Sequence, residues 1–442
     1  MKKVLVLGAG RIARPCIQYL LDQNGYEVYV ADICAENIER CIAGKSNGFP
    51  VVGNVMDRLP QIIDETKPDI MICLLPPACM VPAARAAIDA GIHYVNPSYV
   101  KKEMSELNEK AVEKGVTLLC ELGLDPGIDH MSATKTICDI HSDGGKIVSF
   151  KSLCGALPAP KDNNNPLGYK LSWAPGSLIG ASMREARIIE DGKTIVWPNG
   201  ETYHHSALVD IQDMGWFEEY ANADSTPYVL YYGMPEVKNV YRGTLRYVGW
   251  CEMICKMQQL GLCSDKEEDF SGMTYADVIK KLSGAAEGES AKEAARRFLS
   301  LEAESTVLHK FEWLGLFDEK PVPISKGSMN KLIECVYEDK LIFAPGESDL
   351  SLMEHILEIE YPDRKVLKRS TLIDYGCSDG DFSIAKLTGL PPAMGTKLIL
   401  DRKITKKGVL RPTMPEVYEP ELAELEKLGI VFKDTDVIIS HS

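Results

Sequence analysis

No apolar run in this chain approaches the ~20 residues that a membrane-spanning helix needs. No cluster of Lys and Arg breaks a formal net charge of −15, which argues against a long nucleic-acid surface. No C-x-x-C pair occurs among the thirteen cysteines. They are dispersed and odd in number, unlike a disulfide framework, and Cys251 with Cys255 is too small a set for zinc. There is no internal repeat, low-complexity tract or long Gly/Ser linker, and Met1-Lys2-Lys3 leads into no signal-like apolar stretch with a cleavage site. The expectation is a cytoplasmic protein with reduced thiols, without metal, membrane or nucleic-acid partner. What is present is ordinary soluble composition, 45% hydrophobic and 26% charged over 442 residues. That suffices for large cores and about two to four domains. An anionic substrate would need local positive charge against the overall field.

The first 125 residues alternate between two periods. Val4–Leu7, Tyr26–Ala31, Pro50–Val52, Ile70–Leu75, Ile92–Val95 and Val116–Cys120 read as strands. Ile12–Asp22, Ala35–Ala43, Leu59–Glu65, Val81–Ala90 and Lys101–Lys114 read as helices between them. This rhythm predicts a doubly wound parallel sheet. Beyond Leu124 the pattern changes to strands and turns, with a helical, charged stretch over 250–316. The stretch 348–400 reads as strand-like, Pro420–Lys427 as a helix, and Ile430–Phe432 as a short apolar end.

Gly8-Ala9-Gly10-Arg11-Ile12-Ala13 follows the first strand and opens a helix. This G-x-G-x-x-A pattern lets the chain turn at Gly8, approach a pyrophosphate at Gly10 and pack closely at Ala13, with the helix N-terminus toward the phosphates. Asp32 ends the second strand, 22 residues beyond Gly10, where a carboxylate accepts from adenosine ribose hydroxyls. It would repel the 2′-phosphate of NADP, and Ile33, Cys34 and Ala35 supply no cation, so NAD is predicted over NADP. The opposing reading has Arg11 or Lys45 fold over a phosphate.

Strand carboxyl ends border the ligand crevice of an open α/β sheet. Asp125, in the run from Glu121 to His130, stands at such an end; it is either an acid–base group or the Asp of an ordinary Asp-Pro-Gly turn. Asp129 reads as a helix cap and His130 as a packed helix residue. Asn96-Pro97-Ser98-Tyr99 ends the fifth strand, offering hydroxyl donors or a cap for the next helix. In the loop region 153–173, Cys154 is either a reactive thiol or inert packing. Arg242, Thr244 and Arg246 share one strand face; the Arg pair either binds carboxylates or lies solvated on an edge strand. His204-His205 reads as surface.

Three runs, ELGLDPGIDHMSATKT, LCGALPAPKDNNNPLGYKLSW and YRGTLRYVGW, closely resemble the glutamate-forming saccharopine dehydrogenases, also called saccharopine reductases, best known from fungal lysine synthesis. STLIDYG at 370–376 and KLILDRKI at 397–404 extend the likeness to the segment near Gly408. The resemblance implies an α/β protein in three parts. These are a Rossmann-type NAD(P) domain over 1–124, a mixed α/β substrate domain over 125–391 with a helical insertion at about 250–330, and a segment over 392–442 returning to the first domain. It implies reversible reduction of the imine of glutamate and 2-aminoadipate 6-semialdehyde to saccharopine. Asp125, Tyr99 and Cys154 are then the catalytic candidates, with Asp125 carrying the proton and Tyr99 and Lys170 in reserve. Ser98, Tyr99, Asp125, Arg242, Thr244, Leu245 and Arg246 would hold substrate. Cofactor contacts would come from Gly8, Gly10, Arg11, Ile12, Ala13, Asp32, Asn54, Leu75, Asn96, Leu124, Asp125, Pro126 and Ser172. A homodimer is the base-rate expectation.

Two departures stand out. Fungal reductases carry a basic residue near the end of strand two, where this chain has Asp32. They also carry Arg in a Y-x-N-R-D-S run, which here reads Tyr220-Ala221-Asn222-Ala223-Asp224-Ser225. Losing one charge-assisted bond there costs about 1.5–3 kcal/mol. Alternatives therefore stay open: a sister amine dehydrogenase of the carboxynorspermidine or lysine 6-dehydrogenase type, or a non-catalytic NAD-binding regulator.

Overall fold

The computed structural model describes residues 1–172, 175–377 and 380–441, and only the backbone of Ser177. The chain is α/β and divides into two compact units. The first comprises Met1–Lys146, Leu230–Met234 and Leu372–Phe432; the second comprises Ile147–Val229, Pro235–Thr371 and Lys433–Ser442.

The first unit is built on a parallel sheet. Its strands are β1 (Lys2–Leu7), β2 (Tyr26–Asp32), β3 (Gly48–Val52), β4 (Ile70–Cys73), β5 (His93–Val95) and β6 (Thr117–Leu119). A seventh strand, Gly408–Leu410, lies beside β6. The order is β3-β2-β1-β4-β5-β6 and then Gly408–Leu410, so the switch point falls between β1 and β4. Val4, Leu5, Val6 and Leu7 are wholly buried, which explains the unbroken apolar run. Helix α1 (Ala13–Leu21) follows β1, and Ile128–Ser142 follows β6.

The helix Ser383–Leu400 corrects the strand-like reading of 348–400. It holds Pro391 and Pro392 in its interior. Long-range packing outweighs this local penalty. The helix is buried along most of its length, and a Cβ at Gly389 would stand 2.5 Å from Ile12 O, so it packs on α1 at backbone range. The helix read over Lys101–Lys114 is two short ones, Lys102–Ser105 and Asn108–Glu113. The boundaries read at 124 and 391 also shift. Ile128–Ser142 belongs with the first unit, the return begins at Leu372, and Lys433–Ser442 goes to the second.

The second unit has a nine-stranded sheet. Strand β7 (Lys146–Pro158) runs parallel to Asn239–Arg246 near its centre. Strand Asn239–Arg246 also pairs with Gly215–Ala221, so it is interior and the edge-strand reading fails. Five helices insert between Trp250 and Lys340, extending the expected insertion by about ten residues. The short apolar end read at Ile430–Phe432 leads into a ten-residue strand, Phe432–His441, beside Arg364–Tyr375.

Candidate active site

In the first unit the chemistry gathers at the carboxyl ends of the parallel strands. Gly8 takes φ +99, and a Cβ there would crowd Leu74 O at 3.1 Å and Leu75 Cδ2 at 3.3 Å, so a side chain does not fit. Beside Gly10 the same test finds open space. The N-terminus of α1 has Ile12 as its cap and no side-chain acceptor. These features fit a bound pyrophosphate. Asp32 Oδ2 accepts from Ala9 N–H at 2.7 Å and Oδ1 from Cys34 N–H at 2.8 Å, which fixes the carboxylate beside the cradle. Lys45 pairs instead with Asp22. Arg11 is exposed. Leu75 follows β4 against Gly8; Asn54, after β3, is exposed and donates to Asp57 at 2.6 Å.

Tyr99 and Asp125 meet. The phenol donates to Asp125 Oδ1 at 2.5 Å. The chain makes this pair by two turns. Asn96 Oδ1 accepts from Ser98 N–H at 2.9 Å, curling the end of β5. Gly123 N–H donates to Pro126 O at 2.8 Å and Ile128 N–H to Gly123 O at 2.8 Å, folding 123–128 on itself with a cis peptide before Pro126. Asn96–Tyr99 therefore does not cap the next helix, whose cap position is Lys101. Gly127, not Asp129, is the N-cap of Ile128–Ser142, while Asp129 Oδ1 accepts from Gly127 N–H at 2.6 Å. His130 is more than packing: Nδ1 lies 2.7 Å from Tyr232 Oη and Nε2 3.0 Å from Glu121 Oε2. Leu124 and Pro126 lie within this turn.

In the second unit Cys154 of β7 stands abreast of Thr244, and Thr244 of Tyr220. Both arginines are buried. Arg242 Nη1 donates to Tyr228 Oη at 2.6 Å, with the guanidinium carbon 4.2 Å from that ring. Arg246 is 3% exposed. Its guanidinium lies 5.0 Å from the Tyr169 ring, 5.7 Å from Tyr220 and 5.8 Å from Trp250. Its protein hydrogen bond is from Nη1 to Leu245 O at 2.7 Å, and Nε has none. Among the described residues no carboxylate pairs with it. Ser172 Oγ is also buried, without a hydrogen-bond partner among the described residues. Lys170, the reserve proton donor, forms a buried ion pair with Glu347. Trp173, the end of the expected loop motif, lies outside the described residues. Ala223 takes φ +55 in a turn whose carbonyl accepts from Arg187 N–H at 3.0 Å.

The aromatic ring around Arg246 and the Glu121–His130–Tyr232 network escaped sequence reasoning. Tyr169, Tyr220 and Trp250 are separated by tens of residues, and only the EL and DH ends of one motif hinted at Glu121 and His130.

Comparison with known proteins agrees with this geometry. Residues 4–119 match the family described as "Saccharopine dehydrogenase NADP binding domain" and 123–430 the "Saccharopine dehydrogenase C-terminal domain". The chain is 36% identical over 445 residues to a Pyricularia oryzae protein named saccharopine dehydrogenase [NADP(+), L-glutamate-forming], covering 98% of each. It is 33% identical to the mitochondrial alpha-aminoadipic semialdehyde synthase of Bos taurus, covering 99% of this chain and 48% of that one. The solved apo saccharopine dehydrogenase (L-Glu forming) of Saccharomyces cerevisiae superposes with a TM-score of 0.89 at 31% identity, covering 99% of this chain and 100% of that one. A phosphate-ready glycine cradle, a Tyr–Asp pair at the strand ends and two buried arginines thus sit on a chain that belongs to the saccharopine dehydrogenase family of NAD(P)-dependent oxidoreductases.

Proposed function

We propose that this chain catalyses the reversible reduction of the imine of glutamate and 2-aminoadipate 6-semialdehyde to saccharopine. The observation that carries this reading is Arg246, a buried guanidinium ringed by aromatics and without a protein counter-ion among the described residues. A buried, unpaired cation is costly, so a ligand carboxylate is its natural partner. Saccharopine has three carboxylates. When bound, the nicotinamide supplies or accepts the hydride at the C–N carbon. Asp125 and Tyr99 handle the proton on nitrogen: in the reducing direction the Tyr99–Asp125 pair delivers it, and in oxidation Asp125 Oδ1 receives it. We assign Thr244, Leu245 and Ser98 to substrate, Cys154 to the catalytic set and Ser172 to the cofactor.

NAD is the preferred cofactor in this reading. Asp32 is locked by two backbone N–H groups where a 2′-phosphate would stand, and its neighbour Ile33 is 74% exposed without a cation. The family description and the fungal relatives' names point to NADP, so this is the finer claim on which the chain departs from them. The edge strand Phe432–His441 exposes Val437, Ile438 and Ile439, which suits a homodimer. Thirteen cysteines without a disulfide suit a reducing cytoplasm.

The test is absorbance at 340 nm with saccharopine and NAD or NADP over pH 7–10. Lysine and a carboxylated polyamine run in parallel, because Ala223 removes one carboxylate partner that fungal reductases carry. Turnover of saccharopine supports the reading. Turnover of a parallel substrate alone overturns it.

A further inference from the structure

One buried carboxylate holds both segments that carry the Tyr99–Asp125 pair. Glu121 is 3% exposed and takes φ +60, a left-handed conformation unusual for a residue with a side chain. Its backbone N–H donates to Ser98 O at 3.2 Å, and its Oε1 accepts from Val100 N–H at 2.7 Å. Both chain neighbours of Tyr99 are thereby fixed by one residue. Its other carboxylate oxygen, Oε2, lies 3.0 Å from His130 Nε2, in the first turn of the helix that follows Asp125-Pro126-Gly127. His130 is held in turn by the Tyr232 hydroxyl at 2.7 Å, and Asp129 beside it accepts from Gly127 N–H. Arg411, from the returning segment, completes the set. Its Nε donates to Glu121 Oε1 at 3.1 Å, and its guanidinium lies 4.4 Å from the Tyr231 ring.

Burial alone would push the Glu121 carboxyl up. The His130 imidazole 3.0 Å away, the Arg411 guanidinium and the Val100 N–H outweigh it and hold the group below the ordinary carboxylate range. Glu121 is therefore an anion at working pH, and its charged bonds are the stronger kind.

We infer that Glu121 is a positioning residue for this reaction: it bridges the Ser98–Val100 loop and the helix after Asp125, and so keeps the Tyr99 hydroxyl on the Asp125 carboxylate. This rests on the reading of Tyr99 and Asp125 as the proton-handling pair. Glu121 itself is walled in by Ser98, Val100, His130 and Arg411 and acts through Tyr99. Near-attack geometry is lost over distances of about 1 Å, at a cost of roughly a hundredfold in rate.

The experiment is a double-mutant cycle in steady-state turnover of saccharopine by the full chain. Glu121→Gln and Glu121→Ala are each made alone and with Tyr99→Phe. Glu121→Gln keeps the acceptor for Val100 N–H and loses the charge toward His130 and Arg411; kcat falls about tenfold. Glu121→Ala falls about tenfold as well, the ceiling set by the single Tyr99 hydrogen bond it positions. KM for saccharopine and the cofactor dissociation constant, read by fluorescence, stay within about threefold. In the Tyr99→Phe background either Glu121 substitution adds less than about threefold, because the group it positions is gone. Equal losses in both backgrounds overturn the inference, since a merely structural role is blind to Tyr99. If Glu121→Ala fails to fold, the Glu121→Gln arms decide by the same criterion. If Tyr99→Phe and Asp125→Asn alone leave kcat unchanged, the reading of the pair has failed instead, and the inference with it. If those two fall but Glu121 substitutions do not, only the inference fails.

Discussion

The Tyr99 hydroxyl donates to the Asp125 carboxylate at 2.5 Å, joining the end of the fifth parallel strand to the turn after the sixth. Tyr99 is exposed and Asp125 half-buried, so the pair stays open to ligand while its backbone is anchored behind it. Neither residue is catalytic by type alone; the pairing sets a hydroxyl donor on a carboxylate.

Removing the charge of that pair should remove most of the chemistry. Asp125→Asn is expected to lower kcat with saccharopine by about 10²- to 10⁴-fold, the usual range for a general acid–base group, and to flatten the pH profile. Tyr99→Phe should cost less, about tenfold, because it removes one hydrogen bond and leaves the carboxylate. Steady-state rates across pH 6–10 check both.

Arg246→Lys should raise KM for saccharopine about ten- to hundredfold, with cofactor affinity unchanged. A lysine keeps the charge but not the planar fork that lies 5.0 Å from the Tyr169 ring and 5.8 Å from that of Trp250. Isothermal titration with saccharopine and with the cofactor separates the two effects.

Asp32→Ser combined with Ile33→Arg should reverse the cofactor preference. The first change removes the repelling carboxylate and the second places a guanidinium at an exposed position beside it. The ratio of kcat/KM for NADP over NAD should rise at least about a hundredfold, two charge contacts being involved. A preference for NADP in the unaltered protein would refute the argument from Asp32.

Glu421, on the helix Pro415–Lys427, is 1% exposed and neither carboxyl oxygen has a hydrogen-bond partner among the described residues. Burial pushes its carboxyl well above the ordinary value. The folded state therefore holds a proton that the unfolded chain releases above about pH 4.3. Stability from this group is intact below that value and declines as pH rises toward the raised folded value. Glu421→Gln removes the titration, so its melting temperature should exceed that of the unaltered protein at pH 9 by at least about 2 °C and match it at pH 4. Calorimetry at the two pH values decides.

The cofactor half was legible because its signals are local. A buried parallel strand writes an unbroken apolar run, a tight turn needs Gly8, and the Asp32 carboxylate falls at a set distance from the cradle. Asp125 and Tyr99 were legible as strand-end residues, yet their hydrogen bond was not. The Ser383–Leu400 helix was misread as strand-like; its interior Pro391-Pro392 is a breaker by local rule, and close packing at Gly389 on the α1 backbone helps it hold.

By itself, the sequence determined the alternating strands and helices, the glycine cradle with Asp32, and the runs that place the chain among its relatives. These depend on residues close together along the chain. Only the tertiary structure decided that Arg242 and Arg246 lie on an interior strand, that Lys170 is neutralised by Glu347, and that Glu121, His130 and Arg411 stand behind Tyr99. Glu121 and Arg411 are 290 residues apart. Such contacts form where the chain returns to the sheet edge, and no local propensity encodes which side chain waits there.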